Sequence, residues 1–495
     1  MPIVHRVLFP EPITSLDEYL ARGGGVGLEA ALGRDPDSLI SEVQASGLRG
    51  RGGAGFPTGV KWRTVRDYHA PDFASTVVVN GAEGEPGTFK DRTILRVSPY
   101  PVIEGAVIAA RAVGADEIVF GLKKSFRPEC ARLQAAIDEV IAAGWTSGIR
   151  LAIFQGPNEY LYGEETALLE TIDGRYPFPR IAPPFRRGDR EVVETAADVG
   201  TRSGLSAHVE MAAPAGETDV PPTLVDNVET LANIPRIIAR GATWFRTEGT
   251  EQSPGTIVCT VTGHVQREGV GEIIMGTPLL EVIEEISGGA RPGHRIKAVL
   301  PGVSSALITG DRLDVPVSYE GMAAIGSGLG SAGFMVFDDT VDMTSVAAGV
   351  SRFLAVESCG QCTPCKLDGV ALSDLLDRLC RSDASREDVA RIRSLTGTVG
   401  DRARCSLGTQ HQTVMSSVLD LFSADLEAHI TRGGLEARPV EPALIAELVD
   451  IEGDEAVFDA RHRQKQPDWT YGTDYSGQTP AERYGDHRSP KPLEE

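Results

Sequence analysis

The pattern of apolar and polar positions changes along the chain. Between residue 76 and about residue 241, short β-branched runs at 76–80, 117–122 and 149–154 take turns with helical spacing at 101–113, 128–142 and 164–172. Strands that alternate with helices predict an α/β fold with a parallel sheet and right-handed crossovers. Ligands in such sheets sit beyond the carboxyl ends of the strands, which points to the loop after Asn80 and to the stretch 155–166. Asp226 or Asn227 is placed to cap a helix that opens at Val228. Residues 255–337 read differently, with strands at 256–262, 297–300 and 334–337 and one helix at 278–286, a small α+β module. From residue 344 the spacing is helical at 344–355, 365–380, 385–397 and 409–430, and short connections favour an antiparallel bundle. Before the sheet, short helices are expected at 15–22 and 37–46, the second capped by Asp37 or Ser38. After residue 434 no periodicity is left, and the tail is expected to be disordered or laid over a partner.

Length and charge narrow the class. The 495 residues suffice for three or four domains of ~100–200 residues each. The net charge of -22 disfavours nucleic acid and anionic lipid as direct partners. No apolar run approaches the ~20 residues of a membrane span, and residues 1–11 lack the apolar segment of a signal peptide. Three of the seven cysteines fall between Cys359 and Cys365, which suggests a metal site in a reducing compartment and not a disulfide framework.

The richest stretch is Leu48 to Trp62, LRGRGGAGFPTGVKW. Gly50, Gly52, Gly53, Gly55 and Gly59 interleave with Arg51, Phe56 and Lys61. Glycines let a backbone approach a ligand closely, and N–H groups ahead of a helix attract phosphate. Lys61 offers a cation and Phe56 a flat face for a ring. The spacing G-x-G-x-x-G at Gly50, Gly52 and Gly55 is not a dinucleotide fingerprint, because a helix and not a strand precedes it. The alternative is a flexible surface loop. In the loop 80–92, Glu83 and Glu85 flank a glycine and can aim at ribose hydroxyls or ring N–H groups; the alternative is a solvated acidic turn. Gly163-Glu164-Glu165 opens a helix, where acidic residues serve either as a cap or as a site.

The sharpest metal signal is Cys359-Gly-Gln-Cys362-Thr-Pro-Cys365. Thiols two residues apart reach one centre, and three plus a remote fourth resemble the ligands of a cubane [4Fe–4S] cluster. Cys405, in a loop that opens onto a helix, is a better fourth ligand than Cys380 in an apolar helix. A four-cysteine zinc site is the rival, although a second C-x2-C knuckle is missing. Cys130 and Cys259 read as small core residues. A flavin would join these parts: hydride transfer moves two electrons, a cluster takes one at a time, and something must hold the odd electron between.

These residues resemble the NADH-oxidising flavoprotein subunit of respiratory complex I (the 51-kDa, or F, subunit) and its relatives in NAD-dependent formate dehydrogenases and NAD-reducing hydrogenases. The resemblance rests on GLRGRGGAGFPTGVKW, EPGTFKDR, GEETALL, PPF, DNVETL, SCGQCTPC and the cysteine of RCSLG, in the family's order over residues 12–434. It implies an N-terminal helical extension (1–47), a Rossmann-like FMN and NADH domain (48–250), a ubiquitin-like β-grasp domain (255–337), a helical bundle with the cluster (343–434) and a polar tail (435–495). It implies FMN held by Gly50, Gly52, Lys61, Asn80, Gly163, Glu164, Asp226 and Asn227, with Arg51, Gly53, Gly55 and Glu83 also among the cofactor-binding residues. NADH would stack on Phe56 and Phe185 and meet the carboxylates of Glu85 and Glu165, the residues closest to the chemistry. Cys359, Cys362, Cys365 and Cys405 match the cluster ligands. The implied partners are a thioredoxin-like [2Fe–2S] subunit and a further iron–sulfur or molybdenum- or tungsten-containing subunit, in the cytoplasm or on the inner membrane face through those subunits. The chain departs from the family at Ala82, Gly84, Leu161-Tyr162, Ala182 and Asp226, and the connection 186–222 is longer. Those departures point to a divergent paralogue, and they motivate an alternative: a cluster-bearing scaffold that no longer turns over nucleotide.

Overall fold

Three consecutive valines in the run Ser75–Asn80 are the composition of a strand covered on both faces. The run forms an inner strand of a four-stranded sheet in the structure, a computed structural model that describes residues 3–68, 75–180, 222–430 and 439–465. Its strands are β1 (Ser75–Asn80), β2 (Ala115–Lys123), β3 (Arg150–Gly156) and β4 (Thr223–Asn227). They lie in the order β3-β2-β1-β4, every neighbouring pair parallel. The first three strands lie where the apolar runs predict them. The fourth is unheralded, because only Leu224 and Val225 are apolar before the polar Asp226 and Asn227. Asn227 ends β4 and also caps the helix Val228–Arg240, its Oδ1 accepting from the Glu229 N–H at 3.0 Å.

The chain leaves β1 to one side for β2 and β3, then returns to the other side for β4. That reversal opens a crevice between the carboxyl ends of β1 and β4, where Asn80 pairs with Asn227. The helix Tyr100–Val113 is buried almost throughout and packs on Val228–Arg240. Gly105 permits the contact, because a Cβ there would collide with the Leu231 carbonyl. At the N-terminus the helix Pro36–Ser46 starts with proline in its first turn after Asp35; neither Asp37 nor Ser38 is the cap, because both already lie inside it. Helices Val26–Leu32 and Lys90–Val97 add to those the pattern predicts.

The second sheet contains β5 (Thr256–Gly263), β6 (Gly269–Ile274), β7 (Ile296–Leu300), β8 (Ile308–Thr309) and β9 (Gly333–Asp338), in the order β6-β5-β9-β7-β8. Its inner pair, β5 and β9, is parallel and the flanking pairs are antiparallel. Helix Leu279–Ser287 buries Val282, Ile283 and Ile286 in the core of this unit. The bundle follows with helices Met343–Glu357, Gly369–Cys380, Arg386–Thr398, Leu407–Leu421 and Ser423–Ala428. The single helix expected over 409–430 is two, broken at Phe422, whose φ of -126° leaves the helical region. Among the described residues no helix is long and apolar enough to cross a membrane.

Of the tail, residues 439–465 are described, and the rest of 435–495 lies outside the described residues. The described part forms a hairpin of β10 (Leu448–Glu452) and β11 (Glu455–Phe458) and a 3-10 turn, Ala460–Arg463, laid across the chain itself.

Candidate functional site

The glycine stretch closes as a tight loop on the mouth of the crevice. Gly50 N–H donates to the Phe56 carbonyl at 2.8 Å and Thr58 N–H to the Leu48 carbonyl at 2.9 Å, so the loop feeds directly into the helix Thr58–Asp67. Gly53 (φ 125°) and Gly55 (φ 63°) take backbone conformations that a side chain strains. Gly52 lies against Asn227, whose Cβ would be 3.1 Å from an added one. The Phe56 ring is 51% exposed, at the rim. Arg51 behaves differently from its neighbours. Its guanidinium is buried and donates to the carbonyls of Arg49, Pro254 and Thr256, so it fastens the loop to the start of β5 instead of facing the crevice.

One turn of helix Thr58–Asp67 carries two contacts to β4. Lys61 Nζ lies 2.8 Å from Glu165 Oε1 and 2.9 Å from the Val225 carbonyl; Trp62 Nε1 donates to Asp226 Oδ2 at 2.7 Å. Burial works against the Lys61 ammonium, but Glu165 and Asp226 outweigh it and raise its pKa. Burial pushes the Asp226 carboxyl up to about 6, against the pull of Lys61 and Trp62. The buried Thr58 hydroxyl at the helix N-terminus has no hydrogen-bond partner, and an oxygen of a bound ligand would supply one.

From β1, Asn80 Nδ2 donates to the Gly163 carbonyl at 2.9 Å, which joins the acidic loop to the Gly-Glu-Glu turn. Gly163 allows close approach, since a Cβ there would sit 2.8 Å from the Ala82 carbonyl. Glu164 is the cap: its Oε2 accepts from the N–H groups of Thr166 and Ala167, both at 2.9 Å. Glu165, beside it, is the one that reaches Lys61. Glu83 is likewise engaged with backbone. Buried, it accepts from the N–H groups of Asp91 (3.0 Å) and Arg92 (3.3 Å) at the start of helix Lys90–Val97. Burial and Asp91 push its carboxyl up to about 7. Glu85 accepts from the Tyr160 hydroxyl at 2.6 Å and from the Val303 N–H at 2.7 Å, and burial raises its pKa despite both. Phe185 lies outside the described residues.

Beneath Asn227 is a buried network that the motifs alone do not reveal. Lys90 Nζ lies 2.7 Å from Asp91 and 2.9 Å from Glu229, and Asn227 Nδ2 donates to Asp91 Oδ2 at 2.7 Å. Its parts are legible as the KDR and NVE of two motifs; only the fold brings them together.

Cys359, Cys362, Cys365 and Cys405 line one cavity, closed on one side by Leu161 and Pro179. Arg404 N–H donates to Cys362 Sγ at 3.3 Å, and the Ser358 hydroxyl lies 3.3 Å from Cys365 Sγ. Cys380 is apart, its thiol directed at the Thr344 carbonyl. Cys130 and Cys259 are buried in cores. Four thiols gathered on one cavity suit a cubane cluster, and N–H and O–H donors to its sulfurs are the kind that tune one. Burial pushes the Cys359 thiol up to about 12, so at neutral pH it carries a proton that a bound metal centre has to displace.

Crevice and thiol cavity share a wall: Leu161 closes the cavity, and Gly163, two residues on, lies on Asn80. That adjacency fits one class, an oxidoreductase subunit in which a flavin site neighbours an iron–sulfur site. Residues 43–236 match the Nuo51 FMN-binding domain, and residues 345–429 match the NADH-ubiquinone oxidoreductase-F iron–sulfur binding region. The F subunit of the NADH-quinone oxidoreductase of Streptomyces coelicolor is 36% identical over 447 residues, covering 88% of this chain and 93% of that one. The HndC subunit of the NADP-reducing hydrogenase of Solidesulfovibrio fructosivorans is 36% identical over 427 residues, covering 84% and 81%. A crystal structure of an NAD+-reducing [NiFe]-hydrogenase in the H2-reduced state superposes with a TM-score of 0.70 at 30% identity, over 86% of this chain and 68% of that one. The chain belongs to the family of NADH-quinone oxidoreductase F subunits, flavoproteins that move electrons between NAD(H), FMN and a [4Fe–4S] cluster.

Proposed function

We propose that this chain is the diaphorase module of a larger redox complex, with FMN in the β1/β4 crevice and the cluster on Cys359, Cys362, Cys365 and Cys405. The observation that carries this is the Leu161 wall, which sets the flavin turn against the thiol cavity. FMN, when bound, supplies the conversion between two-electron and one-electron transfer. The chain does the rest. The loop Gly50–Gly55 and the Gly163 turn bring backbone close to the ligand without side chains in the way. Lys61 presents its ammonium, held by Glu165 and the Val225 carbonyl. Asn80 and Asn227 orient the crevice floor, and Asp226 and Glu164 fix Trp62 and the helix that begins with Glu165. Phe56 and Phe185 offer rings for the nucleotide. Glu85 and Glu165 offer carboxylates for its hydroxyl and amide groups.

Relatives named as subunits of NADH-quinone oxidoreductases and of a hydrogenase support partner chains here too. The partners that fit are a thioredoxin-like [2Fe–2S] protein and a further iron–sulfur or molybdenum- or tungsten-bearing subunit. The test is anaerobic purification of the chain, analysis for flavin, iron and sulfide, and addition of NADH. FMN with about four irons per chain and bleaching of the flavin support the reading. A bound cluster with no bleaching supports the scaffold instead, and absence of both cofactors overturns the assignment.

A further inference from the structure

The segment 439–465 is anchored at both ends to functional parts of the molecule. At the crevice end, Lys123 at the end of β2 is fully buried, with Nζ 2.5 Å from Glu447 Oε2. Arg92 donates to the carbonyls of Leu448 and Val449, and Arg96 pairs with Asp450 at 2.6 Å. Glycine at 84 leaves room for this, because a Cβ there would lie 2.5 Å from the Lys123 ammonium. At the cluster end, buried Lys465 places Nζ 2.8 and 3.0 Å from the two carboxylate oxygens of Glu357. His462 Nε2 lies 3.1 Å from Glu357 Oε1, and its ring stacks on Phe353 at 4.9 Å.

Glu357 is the last residue of helix Met343–Glu357, and Ser358 and Cys359 follow it at once. Its Oε2 also accepts the Tyr160 N–H at 3.1 Å, and the Tyr160 hydroxyl holds Glu85. One buried carboxylate thus joins this segment (the strap, 439–465), the cysteine loop and the turn that leads to Gly163. Two partners bear on it from the strap, the Lys465 ammonium and the His462 imidazole, and a buried carboxylate stripped of partners moves or rearranges its surroundings.

We propose that Lys465 and His462 are positioning residues: by seating Glu357 they fix the gap between the cysteine loop and the flavin turn, and so set the rate of electron passage between flavin and cluster. Tunnelling falls exponentially with that gap, so a small shift of the loop slows this step and spares reaction with nucleotide. This rests on the electron route given above.

The experiment uses the full chain, purified anaerobically with its cofactors, as wild type, Lys465→Met, Lys465→Arg and His462→Phe. Stopped-flow absorbance follows flavin bleaching by NADH, freeze-quench EPR follows cluster reduction, and hydrogen exchange follows amides of 160–163 and 358–365. Lys465→Met should bleach within twofold of wild type, reduce its cluster at least tenfold more slowly and exchange those amides at least tenfold faster. Lys465→Arg should restore all three to within threefold. His462→Phe keeps the stack on Phe353 and should show the same selective slowing to a smaller degree, which keeps the test open if Lys465→Met does not fold. Wild-type cluster reduction and exchange in both Lys465→Met and His462→Phe, or equal slowing of both steps without rescue by arginine, overturns the inference alone. A wild type that never bleaches overturns the route itself.

Discussion

The Tyr319 hydroxyl donates to the Gly50 carbonyl at 2.6 Å, so a residue of the second sheet's unit seats the glycine loop of the first. The same ring lies under the Arg49 guanidinium, 3.9 Å from its centroid, and fills the space that a side chain at Gly55 would need. The loop is therefore shaped from outside its own domain. Tyr319→Phe removes one hydrogen bond, worth about 1 kcal/mol, and keeps the ring. FMN binding to the flavin-free protein should weaken about fivefold, read by quenching of flavin fluorescence, while the melting temperature stays nearly unchanged. Wild-type affinity in the Phe variant would show that the loop holds its shape without this contact.

Asp226 gives a pH signature. Its carboxyl titrates at about 6 in the folded chain because burial outweighs Lys61 and Trp62, against ~3.9 when unfolded. Between these values the folded state holds a proton that the unfolded state releases, so stability falls as pH rises from about 4 to about 6. Above that window the ionised group costs on the order of 3 kcal/mol. Asp226→Asn can still accept from Trp62 Nε1 and carries no charge to bury. The flavin-free variant should be on the order of 3 kcal/mol more stable than wild type at pH 7, the pull of Lys61 being already contained in the folded value, and the gain should vanish below pH 4. Urea denaturation across pH checks this, and a difference that does not change with pH contradicts it.

How far the sequence spoke depended on whether a signal was local. Periodicity located β1, β2 and β3 because each is a short apolar run between helical patterns. It missed β4, whose two apolar residues are too few to register and whose polar end serves the crevice. It joined two helices across Phe422, because apolar spacing continues there while the backbone does not. The four thiols were legible from spacing and loop context. Arg51, Glu83 and Glu164 stand in the right motifs, yet their side chains anchor backbone, at β5 or at helix starts. Charge and position alone cannot tell a residue that faces a ligand from one that holds the frame around it. The strap carries no period, and its order comes from long-range ion pairs such as Lys465 with Glu357.

The two candidate fourth ligands separate cleanly by substitution. Cys405 lines the thiol cavity, whereas Cys380 directs its thiol at the Thr344 carbonyl. Cys405→Ser should leave less than a tenth of the wild-type cluster, measured as iron and sulfide per chain. Cys380→Ser should keep a full cluster and lose about 1 kcal/mol of stability, because a hydroxyl replaces a thiol in an apolar core. The reverse pattern would move the fourth ligand to residue 380.

Glu85 tests the nucleotide rim. Its carboxylate is held by Tyr160 and by the Val303 N–H, and burial raises its pKa above the ordinary carboxylate range. A charged acceptor for ribose hydroxyls is then lost as pH falls through that raised value, and KM for NADH should rise toward low pH. Glu85→Gln keeps an acceptor for one of the two donors but removes the charge. Steady-state reduction of an artificial acceptor should show KM raised about tenfold with kcat within about threefold, the mark of binding lost equally in ground and transition states. The variant's KM should also be flat over the acidic range where that of the wild type climbs. A fall in kcat at constant KM would instead place Glu85 at the reacting ring.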